Sequence, residues 1–113
     1  MNIIVVDDEP MLIKIFKSYL KINGHDVATF QKYEGLNIGG NVDLYMLDHD
    51  IKGGITGYEW LKQVGEENIP PNKRIMMSGA NSWFEHNLKG YYLMKPFDMS
   101  TLNNIIKKIE YDK

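Results

Sequence analysis

Apolar runs recur along the chain, and the clearest ones stop at an acidic or hydroxyl residue. The first run, Ile3 to Val6, is mostly β-branched and is followed directly by two aspartates. An unbroken apolar run of this kind is typical of a strand buried on both faces, as in a parallel sheet. Similar runs and short alternating stretches predict further strands at 25–30, 42–48, 74–79 and 91–94.

Helical spacing marks several of the segments between these runs. After the first strand, apolar residues recur three and four positions apart, with lysines between them. Pro10 in the first turn and Gly24 after the last turn are start and stop signals for a helix. Further helices are predicted over 57–67, with Trp60 at the flank of the buried face, and over 98–111.

Two connecting segments are expected to hold little helix. Three glycines in residues 31–41 allow a turn or two at most, and residues 80–90 form a short helix at best. Strands still alternate with helical segments along the whole chain, which predicts a parallel sheet with helices on both faces. We therefore expect one α/β domain spanning residues 1–113.

The composition limits the possible functions. The chain has 113 residues, of which 43% are apolar and 25% charged, as in an ordinary globular domain. A net charge of −2 gives no electrostatic reason to expect nucleic acid or a membrane surface as a partner. The chain has no cysteine, and its N-terminal apolar run is too short for a signal peptide or membrane span, so we expect a cytoplasmic protein. The three histidines are scattered and are expected at the surface.

Chemically distinctive residues stand where the predicted strands end. They are Asp7, Asp8, Asp48, Ser78 and Lys95. The carboxyl ends of parallel strands share one edge of a sheet, and ligand sites form there. Carboxylates roughly 5 Å apart repel by about 3 kcal/mol per pair at an effective dielectric of about 20, so they require a cation. Oxygen-only ligands favour magnesium, with manganese as an alternative.

These residue types together suit phosphoryl transfer. A carboxylate held beside magnesium is a nucleophile toward phosphorus, and a lysine ammonium and a serine hydroxyl stabilise phosphoryl oxygens. The segments IIVVDDEP, DLYMLD, IMMSGA and YYLMKPF, which carry these residues, resemble the receiver domain of two-component response regulators. The resemblance covers essentially the whole chain.

The resemblance implies a role for each matching acidic residue. It assigns metal binding to Asp7 and Asp8, with Asp8 as the favoured direct ligand. It makes Asp48 both a metal ligand and the phospho-acceptor, and it implies that Asp50 offers its backbone carbonyl to the metal. The carboxylate of Asp50 is an extra acidic group near the phosphoryl group, and we expect it to influence the lifetime of the phosphorylated state.

The resemblance also implies roles on the last two strands. Ser78 and Lys95 contact the phosphoryl group, and the small residue Gly79 leaves access to it. Ser78 and Tyr92 act as a switch that responds to phosphorylation. The peptide bond between Lys95 and Pro96 is expected to be cis.

The fold and the activity implied by the resemblance are specific. The fold is flavodoxin-like: a doubly wound (βα)5 sandwich of three layers, with a five-stranded parallel sheet in the order 2-1-3-4-5. The phosphoryl group comes from a sensor histidine kinase or a His-containing phosphotransfer protein, with Mg²⁺, and a downstream effector protein, not identified by the sequence, reads the switch. The chain is a signalling domain that catalyses only its own aspartyl phosphorylation and dephosphorylation.

Two spacings depart from the family pattern. Ser78 and Lys95 are 17 positions apart, roughly one helical turn fewer than is usual, and the region between Gly24 and Asp48 is also short. Shortened second and fourth helices are therefore expected. Lys52 stands where the family often has proline.

A calcium site is the first alternative for residues 48–59. Asp48, Asp50 and Glu59 match positions of an EF-hand loop. However, Lys52 takes the place of an oxygen ligand, and a strand-like run rather than a helix precedes the loop.

Three other functions remain as alternatives. A receiver-like docking module would signal without phosphorylation. An aspartate-nucleophile phosphatase needs a second acid two residues after the nucleophile, which Asp50 provides, but also a cap for which 113 residues leave little room. A flavodoxin needs a phosphate loop rich in Ser, Thr and Gly after the first strand, where this chain has DDEP.

Overall fold

A computed structural model describes residues 1–79 and 89–111, and the predicted α/β fold is confirmed in it. Five parallel strands form one sheet in the order β2-β1-β3-β4-β5, as the family resemblance implied. The strands are β1 (Asn2–Val6), β2 (Asp26–Phe30), β3 (Leu44–Asp48), β4 (Arg74–Ser78) and β5 (Tyr91–Met94). The α-helices of the described residues are α1 (Pro10–Ile22), α2 (Gly57–Val64) and α3 (Met99–Tyr111). Short 3₁₀ turns span Glu66–Asn68 and Pro71–Lys73.

The central strands are the most deeply buried part of the sheet. Every residue of β3 and β4 is buried, whereas β2, at the edge, alternates between exposed and half-buried positions. This matches the unbroken apolar runs in the sequence, because a strand covered on both faces has no polar side. The register pairs Val6 with Leu47 and Asp48 with Met77, which aligns the strand ends at one rim.

Two of the described helices cover one face of the sheet, which we call the helical face. Helices α1 and α3 lay buried side chains on it, at Phe16, Leu20, Leu102, Ile106 and Ile109. These pack on side chains of the central strands, at Val5, Met46 and Met77. The spacing of three and four residues within each helix places the apolar side chains on one stripe, as predicted.

The opposite face, which we call the mixed face, is covered partly by helix and partly by irregular chain. Helix α2 contributes Trp60 and Leu61, and the segment 31–43 contributes Tyr33 and Leu36. No helix forms in residues 31–43, where the chain makes one turn closed by a 2.9 Å bond from the Leu36 amide to the Tyr33 carbonyl. The helix that was expected here in shortened form, between β2 and β3, is therefore absent. The expected fourth helix lies in residues 80–88, outside the described part of the chain.

Gly35 and Gly40 explain why the segment cannot continue as a helix. Their φ angles are +83° and +69°, in the left-handed region that glycine adopts without strain. The side chains of Tyr33 and Leu36 therefore bury apolar surface from a turn rather than from a helix.

The predicted position of Trp60 at the flank of α2 is wrong. Its side chain is 2% exposed and stacks on Tyr33, with 5.4 Å between ring centroids. The indole nitrogen donates a 3.2 Å hydrogen bond to the Leu36 carbonyl. Because residues 31–43 form no helix, the indole packs directly against the turn that carries Tyr33 and Leu36.

The expectation that the histidines lie at the surface is also wrong for two of them. His25 and His49 are 9% and 7% exposed, and His25 Nδ1 lies 2.9 Å from the N-terminal amine. His86 falls outside the described residues.

None of the described helices has the length and apolar character that crossing a membrane requires.

Candidate functional site

The rim at the carboxyl ends of the central strands brings the predicted carboxylates together. One oxygen from each of Asp7, Asp8 and Asp48 lies within 4.8 Å of the others. Asp7 and Asp48 are buried, and Asp8 is half-buried. The parallel register explains this convergence, since β1 and β3 are neighbours that end at the same level.

Lys95 follows β5 and reaches across the rim to two of these carboxylates. Its Nζ lies 2.6 Å from Asp7 Oδ2 and 3.4 Å from Asp48 Oδ2. Burial lowers the pKa of Lys95, but the hydrogen bond to Asp7 and the two negative charges outweigh it, so the pKa is raised. The ammonium therefore stays charged and offsets part of the repulsion at the rim.

The Asp48 carboxyl holds its proton more tightly than an ordinary aspartate does. Burial and then the charge of Asp7 raise its pKa to about 6, against the opposing effect of Lys95. Its Oδ1 also accepts a 3.2 Å bond from the Asp50 amide. A cation beside this carboxylate would favour the ionised form, because an opposite charge lowers the pKa of an acid.

Asp8 joins the start of α1 to the loop after β3. Its Oδ2 accepts a 2.9 Å hydrogen bond from the Lys52 amide. The N-cap of α1 is Glu9, so Asp8 does not cap the helix. Lys52 breaks the EF-hand pattern in the sequence, and its backbone here holds the loop against a predicted metal ligand.

The Asp50 side chain takes part in the site in a way that the sequence did not predict. Its Oδ2 accepts a 2.6 Å hydrogen bond from Ser78 Oγ and a 3.3 Å bond from the Gly79 amide. Ser78 is fully buried, whereas Asp50 is exposed. We predicted that the Asp50 backbone carbonyl binds the metal and that its carboxylate influences the lifetime of the phosphorylated state. The contacts of the carboxylate with Ser78 and Gly79 were not predicted.

Tyr33 is a second participant that sequence reasoning missed. Its hydroxyl donates a 2.6 Å hydrogen bond to the backbone carbonyl of Asp48, and its side chain is 1% exposed. Burial, followed by the charges of Asp48 and Asp7, raises the pKa of Tyr33 well above its usual value, so the hydroxyl remains a donor. A single tyrosine in a glycine-rich segment carries no sequence signal for this contact.

Gly57, the first residue of α2, permits the close approach of Tyr33 to Asp48. A Cβ at Gly57 would lie 2.8 Å from the Tyr33 hydroxyl and 2.9 Å from the Asp48 carbonyl oxygen. Atoms at these distances overlap, so any larger residue would push the three segments apart. The structure thus supplies a steric reason for glycine at this position.

Tyr92 and Pro96 lie on either side of Lys95. Tyr92 is half-buried and packs against the mixed face, whereas Tyr91 packs against the helical face, as strand alternation requires. The Lys95–Pro96 peptide bond is cis.

The donor set fits magnesium better than calcium bound in an EF-hand. The three converging groups are all carboxylate oxygens, which hard divalent ions prefer. The EF-hand interpretation of residues 48–59 is wrong in its structural context, because Asp48 ends a buried strand. Glu59 instead closes a capping box, accepting from the Thr56 amide at 3.0 Å.

Comparison with known proteins gives a consistent result. A family model described as the response regulator receiver domain matches residues 3–107. A response regulator protein from Thermotoga maritima, solved in complex with Mg²⁺ and BeF, is 27% identical; the match covers 96% of this chain and 97% of that one, with a TM-score of 0.77. No curated protein sequence matches the chain.

Two further solved structures are similar. The receiver domain of the hybrid histidine kinase CckA is 25% identical over 96% of this chain and 98% of its own, with a TM-score of 0.77. A two-component response regulator from Clostridium difficile is 20% identical over 98% and 96% of the two chains, and its TM-score of 0.83 reflects likeness of fold.

Proposed function

The chain belongs to the response regulator receiver domain family of two-component signalling, and from this membership we propose that Asp48 is the phospho-acceptor of a phosphorelay. Receiver domains are signalling domains that interact with histidine kinases or phosphotransfer proteins. The observation that carries the proposal is the placement of the buried Asp48 carboxylate between two other carboxylates and the Lys95 ammonium. A carboxylate in this arrangement can bind a cation and can accept a phosphoryl group.

The acidic cluster would hold the metal. Asp7, Asp8 and Asp48 would supply carboxylate oxygens, and Asp50 its backbone carbonyl, to Mg²⁺ or Mn²⁺. When bound, the ion supplies positive charge that keeps Asp48 ionised and offsets the charge of the phosphoryl oxygens. Asp7 is already oriented, because its Oδ1 accepts a 3.0 Å bond from the Glu9 amide while Oδ2 contacts Lys95.

The transfer step uses an Asp48 carboxylate oxygen as the nucleophile. This oxygen forms a bond to phosphorus as the P–N bond of a phosphohistidine breaks, and the imidazole leaves with the electron pair. Lys95, which is 3.4 Å from Asp48, would neutralise one phosphoryl oxygen. The Ser78 hydroxyl and the Gly79 amide would donate to another, and Tyr92 would respond to the movement of Ser78.

The donor is proposed to be a protein, a sensor histidine kinase or a His-containing phosphotransfer protein. Exposed apolar side chains border the site: Met11 is 69% and Ile15 46% exposed, and both line a cleft that includes Lys95 and Pro96. Apolar surface beside a charged rim is typical of a protein-docking site. A downstream effector would bind in response to phosphorylation. The chain would catalyse its own phosphorylation and dephosphorylation and act on no separate substrate.

Intact mass after incubation with Mg²⁺ and acetyl phosphate tests the proposal. We expect one phosphoryl adduct on the wild-type chain and none on Asp48→Ala. Asp26→Ala is the matched control, because Asp26 is an exposed aspartate at the amino end of β2, on the opposite rim. An adduct that persists in Asp48→Ala would contradict the assignment of Asp48.

A docking module that signals without phosphorylation is the second candidate. It is favoured by the contact of Asp50 with Ser78 and Gly79, because two donors that would hold a phosphoryl oxygen already contact a carboxylate. The same mass experiment separates the two functions, since a docking module would gain no adduct from any donor.

A further inference from the structure

The carboxylate of Asp50 contacts the two hydrogen-bond donors at the end of β4. Ser78 Oγ lies 2.6 Å from Asp50 Oδ2, and the Gly79 amide nitrogen lies 3.3 Å from the same oxygen. Hydrogen bonds to an ionised acceptor are shorter and stronger than those between neutral groups. The Asp50 oxygen thus lies where a hydroxyl and an amide converge, an arrangement that suits any anionic oxygen.

In the proposed function, the same two donors would hold a phosphoryl group on Asp48. Asp50 is two residues beyond the acceptor, and its amide already bonds to Asp48 Oδ1 at 3.2 Å. A serine hydroxyl carries a single proton, so Ser78 cannot donate fully to Asp50 and to a phosphoryl oxygen at once. Binding of the phosphoryl group and the Ser78–Asp50 contact therefore compete for the same donor.

We propose that Asp50 is a positioning residue that holds the Ser78 hydroxyl and the Gly79 amide in the unphosphorylated chain, and that a phosphoryl group on Asp48 must displace it. The inference rests on the proposed function of Asp48. The Asp50 carboxylate acts as an internal substitute for one phosphoryl oxygen. Removal of this carboxylate by substitution favours the phosphorylated state.

Exposure makes this contact reversible. Asp50 is exposed while Ser78 is fully buried, so the carboxylate can turn into solvent without burying an unpaired charge. Displacement then costs the contact itself and little rearrangement of the fold. The contact of Asp50 with Ser78 and Gly79 therefore stabilises the unphosphorylated state, and phosphoryl transfer to Asp48 must offset this stabilisation.

Titration of the protein with beryllium fluoride and Mg²⁺, measured by calorimetry, tests the proposal. We expect Asp50→Ala to tighten beryllium fluoride binding about tenfold, the factor that corresponds to loss of one competing charge-assisted bond. Asp50→Asn keeps an acceptor oxygen without the charge, so its gain should be smaller than that of Asp50→Ala. Asp26→Ala, an exposed aspartate on the opposite rim, should change nothing.

A Ser78→Ala background distinguishes displacement from simple charge repulsion. If Asp50 acts by holding the hydroxyl, most of the gain from Asp50→Ala disappears when Ser78 is alanine, and the two changes are not additive. Equal gains in both backgrounds, or equal gains from Asp50→Ala and Asp50→Asn, would overturn the inference and leave only the effect of charge.

The amide resonance of Gly79 gives a readout that needs no ligand. In the free protein, Asp50→Ala should shift this resonance, because the amide loses its acceptor, and an unmoved resonance would count against the contact. If the wild-type chain binds beryllium fluoride but Asp50→Ala brings no gain, the inference fails and the proposed function stands. If neither chain binds it, the proposed function fails and the inference falls with it.

Discussion

The helical face and the mixed face bury the same central strands by different means. On the helical face, the long helices α1 and α3 present periodic apolar stripes to β1, β3 and β4. On the mixed face, the described residues supply one short helix and a turn segment, which bury the stacked rings of Tyr33 and Trp60. The mixed face also touches the site, because the Tyr33 hydroxyl donates to the Asp48 carbonyl.

This difference separates support of the fold from support of the site. A buried aliphatic residue at the far end of a helix on the helical face stabilises the domain without contacting the acidic rim. The aromatic pair on the mixed face stabilises the domain and also fixes the backbone at the proposed acceptor. Substitutions on the two faces should therefore have similar effects on stability and different effects on metal binding.

The largest expected effect comes from Trp60→Ala. Loss of this buried indole should lower the free energy of unfolding by about 3–5 kcal/mol, and Leu20→Ala on the helical face by about 2–5 kcal/mol. Urea unfolding measures both losses. Among the folded molecules, Mg²⁺ affinity should fall for Trp60→Ala, because Tyr33 loses its stacking partner, and should stay unchanged for Leu20→Ala.

Trp60→Phe is a milder variant that allows the same comparison if Trp60→Ala does not fold. It keeps an aromatic ring beside Tyr33 and should show a smaller loss of both stability and Mg²⁺ affinity. Equal Mg²⁺ affinities for the Trp60 and Leu20 variants would remove the distinction between the two faces.

The helical face could be predicted from the sequence because its apolar residues recur at helical spacing. The stripe of α1 and the stops at Pro10 and Gly24 lie within one continuous segment, so local pattern alone predicts the element. The acidic rim was predictable for a related reason. Parallel strands end at the same edge, and the chemically distinctive residues stood at those ends.

The mixed face could not be read in this way. The glycines of residues 31–41 did predict little helix, but the contact of Tyr33 with Asp48 beside Gly57 joins segments that are far apart in the chain, and no local pattern shows it. Trp60 was misplaced because residue spacing along α2 does not show the contacts that its indole makes with Tyr33 and the Leu36 carbonyl. The direction of the Asp50 carboxylate depends on the loop after β3, where the Lys52 amide bonds to Asp8.

Tyr33→Phe tests the link between the mixed face and the site with one atom removed. The change keeps the ring and its stacking, but it takes a donor from the buried Asp48 carbonyl, so stability should fall by about 1–3 kcal/mol. Chemical denaturation measures this loss, and Tyr111→Phe, at a residue that is 90% exposed, is the matched control. A Tyr33→Phe variant as stable as the control would show that the ring stabilises the fold and that the hydroxyl adds nothing to it.

The pH dependence of the metal-free protein separates the position of Asp48 from its charge. Asp48 has a pKa of about 6 in the folded chain, against about 3.9 for an unperturbed aspartate. The folded state therefore holds the proton more tightly than the unfolded state, so the contribution of Asp48 to stability falls as pH rises from about 4 to about 6. Asp48→Asn removes this contribution, and its melting temperature relative to wild type should rise over that range.

Tyr33→Phe should retain the pH dependence of the wild type, because its hydroxyl contacts the Asp48 carbonyl rather than the carboxylate. Melting temperatures of the wild type, Asp48→Asn and Tyr33→Phe, measured with a chelator present, provide the comparison. If Tyr33→Phe flattened the profile as Asp48→Asn does, the mixed face would set the charge of the acceptor as well as its position. A profile unaffected by Asp48→Asn would place the titrating group elsewhere.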